Sequence, residues 1–201
     1  MFLTIEGIDG SGKSTFAERA VALLRSCGHK TLWTREPGGW EGGDNIRAIL
    51  LQGNLKNNVS EILLFMADRC EHVVQVIIPA LQNGVSVVCE RYNDSTLAYQ
   101  CWGRGIERAG IERLIEWCDL PVPDLTIWLD VPQSVARERV SSRGECDRIE
   151  REKSQFHQRV ASGFEALSHE YPERINRFDA TKTPDELESA LATLLKSRGM
   201  I

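Results

Sequence analysis

The run Gly7-Ile8-Asp9-Gly10-Ser11-Gly12-Lys13-Ser14 fits the pattern G-x-x-x-x-G-K-[ST], the signature of a loop that cradles phosphate groups. Its glycines let the backbone curl until successive N–H groups face one anion. Lys13 then offers a mobile cation to β- and γ-phosphates, and the Ser14 hydroxyl is placed to ligate Mg²⁺. Thr15 opens a helical run that reaches Leu24, so the anion also meets a helix N-terminus. Gly7 to Thr15 is the expected ATP-binding stretch, with Lys13 in the chemistry itself.

Three further groupings stand out. Arg35 and Arg91 each follow a short apolar run, and a pair of guanidiniums beside a phosphate loop suits a second anion, held in a bidentate way. Phe65 and Arg69 are one helical turn apart, offering a flat apolar plate and a hydrogen-bond fork to a nucleobase. The charged segment Ser141 to Arg151 has a glycine hinge at Gly144 and lies between two helices. It has the composition of a lid that closes over ATP, with Arg143 and Arg148 able to reach a transferring phosphoryl group.

These residues need a scaffold. Short apolar runs predict strands at Phe2–Glu6, Lys30–Thr34, Val85–Cys89, Leu125–Leu129 and Arg174–Phe178. Helices are expected at Thr15–Leu24, Asp44–Leu51, Val59–Leu81, from Ser95, at Ile111–Trp117, after Pro132, and at Glu150–His169. Thr183-Pro184-Asp185-Glu186 caps a closing helix. The stretch Ile62 to Met66 is apolar on every face, so its helix is expected to be central or to pack on a partner. Strands alternating with helices give a doubly wound α/β domain: a five-stranded parallel sheet covered on both faces, spanning residues 1–201 with a lid at about 141–151. Ligands in such sheets sit beyond the carboxyl ends of the strands, where the phosphate loop, Arg35-Glu36, Glu90-Arg91 and Asp130 fall.

Composition narrows the partners. With a net charge of −5 there is no global basic character to bind nucleic acid. No apolar run reaches membrane-spanning length, and the N-terminus lacks an export signal. The six cysteines form no C-x-x-C pair, which fits reduced thiols in the cytoplasm.

The chain resembles the bacterial thymidylate kinases over nearly its full length. The resemblance is carried by Ile5-Glu6-Gly7 with the phosphate loop, Thr34-Arg35-Glu36-Pro37-Gly38-Gly39, Leu64-Phe65-Met66-Ala67-Asp68-Arg69, Glu90-Arg91-Tyr92 with Ser95 to Gln100, Gly103-Arg104-Gly105, and Asp147-Arg148-Ile149-Glu150. It implies phosphorylation of dTMP to dTDP by ATP with Mg²⁺, by a P-loop kinase acting as a homodimer. It also implies that Asp9 holds the deoxyribose 3′-hydroxyl, Phe65 stacks on thymine, and Arg69 donates to a thymine carbonyl. Thr96 would touch the base edge, Tyr99 would pack under the sugar, and Arg35 and Arg91 would clamp the acceptor phosphate. Gly10 and Ser11 fill the middle of the loop where one branch of the family carries an arginine. The catalytic arginines are then expected from the lid, as Arg143 and Arg148, alongside Lys13 and Arg91.

The chain departs from the family pattern at Glu90, where Asp is usual and a contact near Mg²⁺ is expected, at Cys101-Trp102, and at Trp40. Two alternatives stay open at this level. A deoxynucleoside kinase would phosphorylate a sugar hydroxyl and need a base, for which Glu6 or Glu90 would be available. A non-catalytic nucleotide switch would use the loop alone.

Overall fold

The computed structural model describes residues 1–142, 144 and 146–201. Arg143 and Glu145 lie outside the described residues. Five parallel strands, β1 (Phe2–Glu6), β2 (Thr31–Arg35), β3 (Ser86–Glu90), β4 (Leu125–Asp130) and β5 (Ile175–Asp179), form one sheet in the order β2-β3-β1-β4-β5. Each predicted strand is present within a residue of its expected ends. The runs carry β-branched and aromatic residues, and β1 and β3 are buried along their whole length, as central parallel strands are.

Two aromatic contacts show that both faces are covered. Leu129 and Phe178 are register partners, while Trp128 points the opposite way on the pleat. Phe16 of α1 (Lys13–Ser26) packs edge-on against Phe178, with ring centroids 5.9 Å apart. Phe164 of α8 (Ser154–Glu170) stacks on Trp128 at 6.3 Å. So α1 and α8 lie on opposite faces. Helix α9 (Pro184–Ser197) packs beside α1 and starts with the expected capping box between Thr183 and Glu186.

The remaining helices bring side chains to the strand ends. They are α2 (Gly43–Gln52), α3 (Asn58–His72), α4 (Ile78–Gln82), α5 (Asn93–Thr96), α6 (Arg108–Trp117) and α7 (Gln133–Ser141). A wider π turn at Val73–Ile77 joins α3 to α4, and another at Leu97–Gly103 continues α5. The helical span expected from Val59 to Leu81 is therefore present but not uniform.

One expectation is corrected and another is narrowed. The helix expected to begin at Glu150 begins at Ser154, because Asp147 Oδ1 accepts the N–H groups of Ile149 and Glu150, both at 2.8 Å, and closes a turn there. Of the two settings expected for the apolar run of α3, central or packed on a partner, the central one is not found. Ile62 and Met66 are buried, but Leu63, Val59 and Val74 are half or more exposed on an outward face.

Candidate active site

The phosphate loop joins β1 to α1, and its shape depends on Gly10. That residue has φ +82°, and a Cβ there would lie 2.2 Å from the carbonyl oxygen of Ala136. Lys13 folds back along the loop, its Nζ donating to the carbonyls of Gly7 at 3.1 Å and Ile8 at 2.8 Å. Burial, with Arg91 adding to it, pushes the Lys13 ammonium down to about 8 against the pull of Asp9, Glu90 and Glu6.

A cavity of about 380 Å³ opens over this loop at the carboxyl ends of the strands. Asp9, Gly10, Gly12, Lys13, Ser14 and Thr15 line it. Gly7, Ile8 and Ser11 are buried behind it, the first two presenting carbonyls to Lys13. Asp9, Arg35, Phe65, Arg69, Arg91, Thr96 and Tyr99, all expected to contact the acceptor, line the same cavity.

Arg91 is the hub of one wall. It is a non-glycine residue with φ 65°, a left-handed conformation that costs energy and aims the side chain back over the loop. Its guanidinium donates to Asp9, to the Gly7 carbonyl at 3.1 Å, and to Ser95 Oγ and Tyr99 OH, each at 3.2 Å. Tyr99 OH in turn donates to Asp9 Oδ2 at 3.0 Å. Burial opposes the charge on Asp9, but Arg91 and then Lys13 outweigh it and hold the carboxyl well below its usual range.

Arg47 adds a third guanidinium near Arg35 and Arg91. Burial comes first in lowering its hold on its proton, and repulsion from those two arginines adds to it. Like charges gathered this closely make a site for an anion.

Ser14 Oγ donates to Glu90 Oε2 at 2.8 Å, and both residues line the cavity. A hydroxyl and a carboxylate side by side are the hard oxygen donors that Mg²⁺ takes, so the residues present fit the ion. The longer Glu90 is accommodated because its Oε1 accepts from Trp33 Nε1 at 3.0 Å. Trp40 staples the loop after β2, since its Nε1 donates to Asp68, which also accepts from Gly38 N. Trp102 packs on the backbone at Gly163 of α8.

The sequence model of the family described as thymidylate kinase matches residues 5–191. The chain belongs to the thymidylate kinase family. It is 44% identical to a thymidylate kinase of Synechococcus sp., covering 98% of this chain and 95% of the relative. It is 42% identical to one from Gluconobacter oxydans over 95% and 92%. The crystal structure of a thymidylate kinase from Ehrlichia chaffeensis superimposes with a TM-score of 0.82 at 30% identity, covering 98% of both chains. The chain is thus a phosphotransferase that carries the ATP γ-phosphoryl group to dTMP, giving dTDP.

Measured against this thymidylate kinase activity, some expected residues lie elsewhere. Arg148 does not line the cavity. Its Nη2 pairs with Glu61 Oε2 at 2.6 Å and its Nε donates to the Leu50 carbonyl at 3.0 Å. Arg143 falls outside the described residues. Asp130 pairs with Arg177 at 2.5 Å, away from the cavity. Glu6 is also out of reach as a base: it is fully buried and accepts from Tyr92 N, Ser95 N and Ser95 Oγ.

Sequence reasoning missed Arg139, which lines the cavity from the end of α7 and donates toward the Gly10 carbonyl at 3.4 Å and the Ala180 carbonyl at 3.2 Å. It also missed Arg47. Neither carries a local motif. Glu61 was missed too: it is 2% exposed and gathers Arg104, Arg148 and Gln100, which ties α3 to the segment that carries Arg148.

Proposed function

We propose that the cavity seats dTMP beside the phosphate loop and that its own phosphate oxygen attacks the γ-phosphorus of ATP. A new P–O bond forms as the bond to the β–γ bridging oxygen breaks, and ADP leaves. The acceptor phosphate has a second pKa of about 6, so at neutral pH it is largely a dianion and needs no base. The fully satisfied, buried Glu6 is consistent with that. Arg35 and Arg91 clamp the acceptor phosphate, Asp9 accepts the 3′-hydroxyl, and Tyr99 underlies the sugar. Phe65 stacks on thymine while Arg69 and Thr96 meet its polar edge. One observation carries this reading: the seven residues named for the acceptor come from distant parts of the sequence and line a single cavity together with Lys13.

Two anions must meet in line, so the barrier is electrostatic and the chain's role is to supply positive charge and fixed geometry. Lys13 and Arg91 do so from within the cavity, and Arg143 and Arg148 from the lid. Ser14 and Glu90 would hold Mg²⁺, which supplies neutralising charge to the β- and γ-phosphates when bound. Arg148 would have to leave Glu61 to reach the phosphates, a step that couples lid movement to α3.

A homodimer is supported by the outward apolar face of α3, where Leu63 is 50% and Val59 56% exposed, and by Val74 beyond it. A cytoplasmic location is supported by six free thiols and by the finding that no helix among the described residues is long and apolar enough to cross a membrane.

The test is ADP release from ATP and Mg²⁺ with dTMP, dUMP, thymidine, AMP and UMP offered separately. Turnover with dTMP well above the others is expected. Preference for thymidine, or release unaffected by any acceptor, contradicts the reading.

A further inference from the structure

His72 closes α3 with no exposed surface, and both of its ring nitrogens are engaged. Nε2 lies 2.6 Å from Thr34 Oγ1 on β2, and Nδ1 lies 2.9 Å from Glu36 Oε1. The other Glu36 oxygen accepts from Arg69 Nε at 2.6 Å. Arg69 goes on to donate from Nη1 to Thr96 Oγ1 at 2.7 Å and from Nη2 to the Tyr92 carbonyl at 3.1 Å. A line of contacts therefore runs from Thr34 on the edge strand, through His72 and Glu36, to the cavity wall.

We propose that His72 is a positioning residue for recognition of the pyrimidine: it fixes Glu36, and Glu36 fixes the plane of the Arg69 guanidinium that faces the base. This rests on the reading of the cavity as the dTMP site. Glu36, ion-paired with Arg69, can only accept, so the His72 ring proton sits on Nδ1 and points at Glu36, and Nε2 is left to accept from the Thr34 hydroxyl. A carboxylate with one oxygen held by an imidazole N–H and the other by a guanidinium N–H cannot turn about its terminal bond. Arg69 is then pinned at Nε by Glu36, at Nη1 by Thr96 and by Met66 Sδ at 3.7 Å, and at Nη2 by the Tyr92 carbonyl, which leaves one Nη2 N–H to meet a carbonyl on the base. Glu36, Arg69 and His72 are all buried, so no bulk water stands in for a lost partner.

Gly39 bears on the same contact. A Cβ there would lie 2.6 Å from Thr34 Oγ1 and 2.7 Å from His72 Nε2, so the second glycine of Pro37-Gly38-Gly39 leaves room for the hydroxyl–imidazole bond. Glu36, His72 and Cys89 also present donor atoms within 4.8 Å of one another. Both Glu36 oxygens are already taken by N–H groups, so this cluster is a hydrogen-bond relay rather than a cation site.

An asparagine amide nitrogen overlays the position of Nδ1, and a glutamine amide overlays that of Nε2. The relay therefore separates two variants of similar polarity in the full-length enzyme. His72→Asn should keep KM for dTMP within about threefold of wild type, while His72→Gln should raise it about tenfold, with kcat and KM for ATP within about twofold. The preference for dTMP over dCMP, taken as the ratio of kcat/KM values, should fall with His72→Gln only. Equal behaviour of the two variants, or a KM for ATP that rises in step, overturns the proposal. If His72→Gln does not fold, Thr34→Val serves instead: a rise in KM for dTMP of about threefold or more supports the relay, and an unchanged KM overturns it. Arg69→Gln is the control that separates the two readings, because an unchanged KM for dTMP there removes the base-contact role of Arg69 itself.

Discussion

Trp33 donates its indole N–H to Glu90 Oε1 at 3.0 Å, while the other oxygen of Glu90 accepts from Ser14 at 2.8 Å. The extra methylene of Glu90 would otherwise leave its carboxylate free to swing. Trp33→Phe keeps the ring and removes the donor, a loss of about 1 kcal/mol of orienting energy. The Mg²⁺ concentration giving half-maximal rate should then rise about fivefold, with KM for dTMP unchanged. Titrating Mg²⁺ at saturating ATP and dTMP checks this. Trp33 is 43% exposed, so the fold should be indifferent to the change.

Arg148 tests the lid. Paired with Glu61 at 2.6 Å, it is held near the site but outside the cavity. If it moves onto the phosphates during transfer, Arg148→Ala should lower kcat by about a hundredfold and leave KM for dTMP nearly unchanged. A loss confined to KM would make Arg148 only an anchor for the lid segment. Steady-state kinetics with each substrate varied in turn distinguishes the two.

Much of this was legible in the chain and some was not, for a physical reason. Strand runs such as Val85–Cys89 and the loop Gly7–Ser14 are local patterns, and they are found within a residue of their expected places. Arg35 and Arg91 could be placed by the rule that ligands sit at strand ends, and Phe65 by its one-turn spacing from Arg69 on a helix. The helix expected from Glu150 failed because one side chain, Asp147, captures two backbone N–H groups. The partners of His72, Glu61, Trp33 and Arg139 are separated from them by dozens of residues, and only the folded sheet brings them together.

Glu6 gives the molecule a pH dependence. Burial raises its carboxyl from the ordinary 4.5 to about 7, with the Asp94 charge adding to it and Ser95, Arg91 and the Tyr92 N–H opposing. Lys13, Arg69 and Arg174 also face it. The native state thus binds more protons than the unfolded chain between these values, and stability from Glu6 is full below 4.5 and lost as pH rises through about 7. Between about pH 5 and about pH 8 the wild type should lose on the order of 2 kcal/mol relative to Glu6→Gln. Urea unfolding of both proteins at the two pH values measures the difference.

Gly10→Ala should empty the phosphate loop of function. The new Cβ would meet backbone of α7 at 2.2 Å, and φ is +82°. A loss of at least about 2 kcal/mol in stability is expected, together with loss of nucleotide-induced thermal stabilisation. Scanning calorimetry with and without ADP reads both.

Leu63→Asp places a charge on the outward face of α3, where half of the native side chain is exposed. Sedimentation equilibrium should report a dimer for the wild type and a monomer for the variant. A wild-type monomer removes the dimer.

The central claim is that the phosphate of dTMP is the acceptor. Phosphorus NMR of the enzyme with ATP, Mg²⁺ and dTMP tests it directly. The dTMP singlet should be replaced by the two coupled doublets of dTDP as ATP becomes ADP. A dTMP singlet that persists while ATP is consumed would contradict the account and leave only a nucleotide hydrolase built on the phosphate loop.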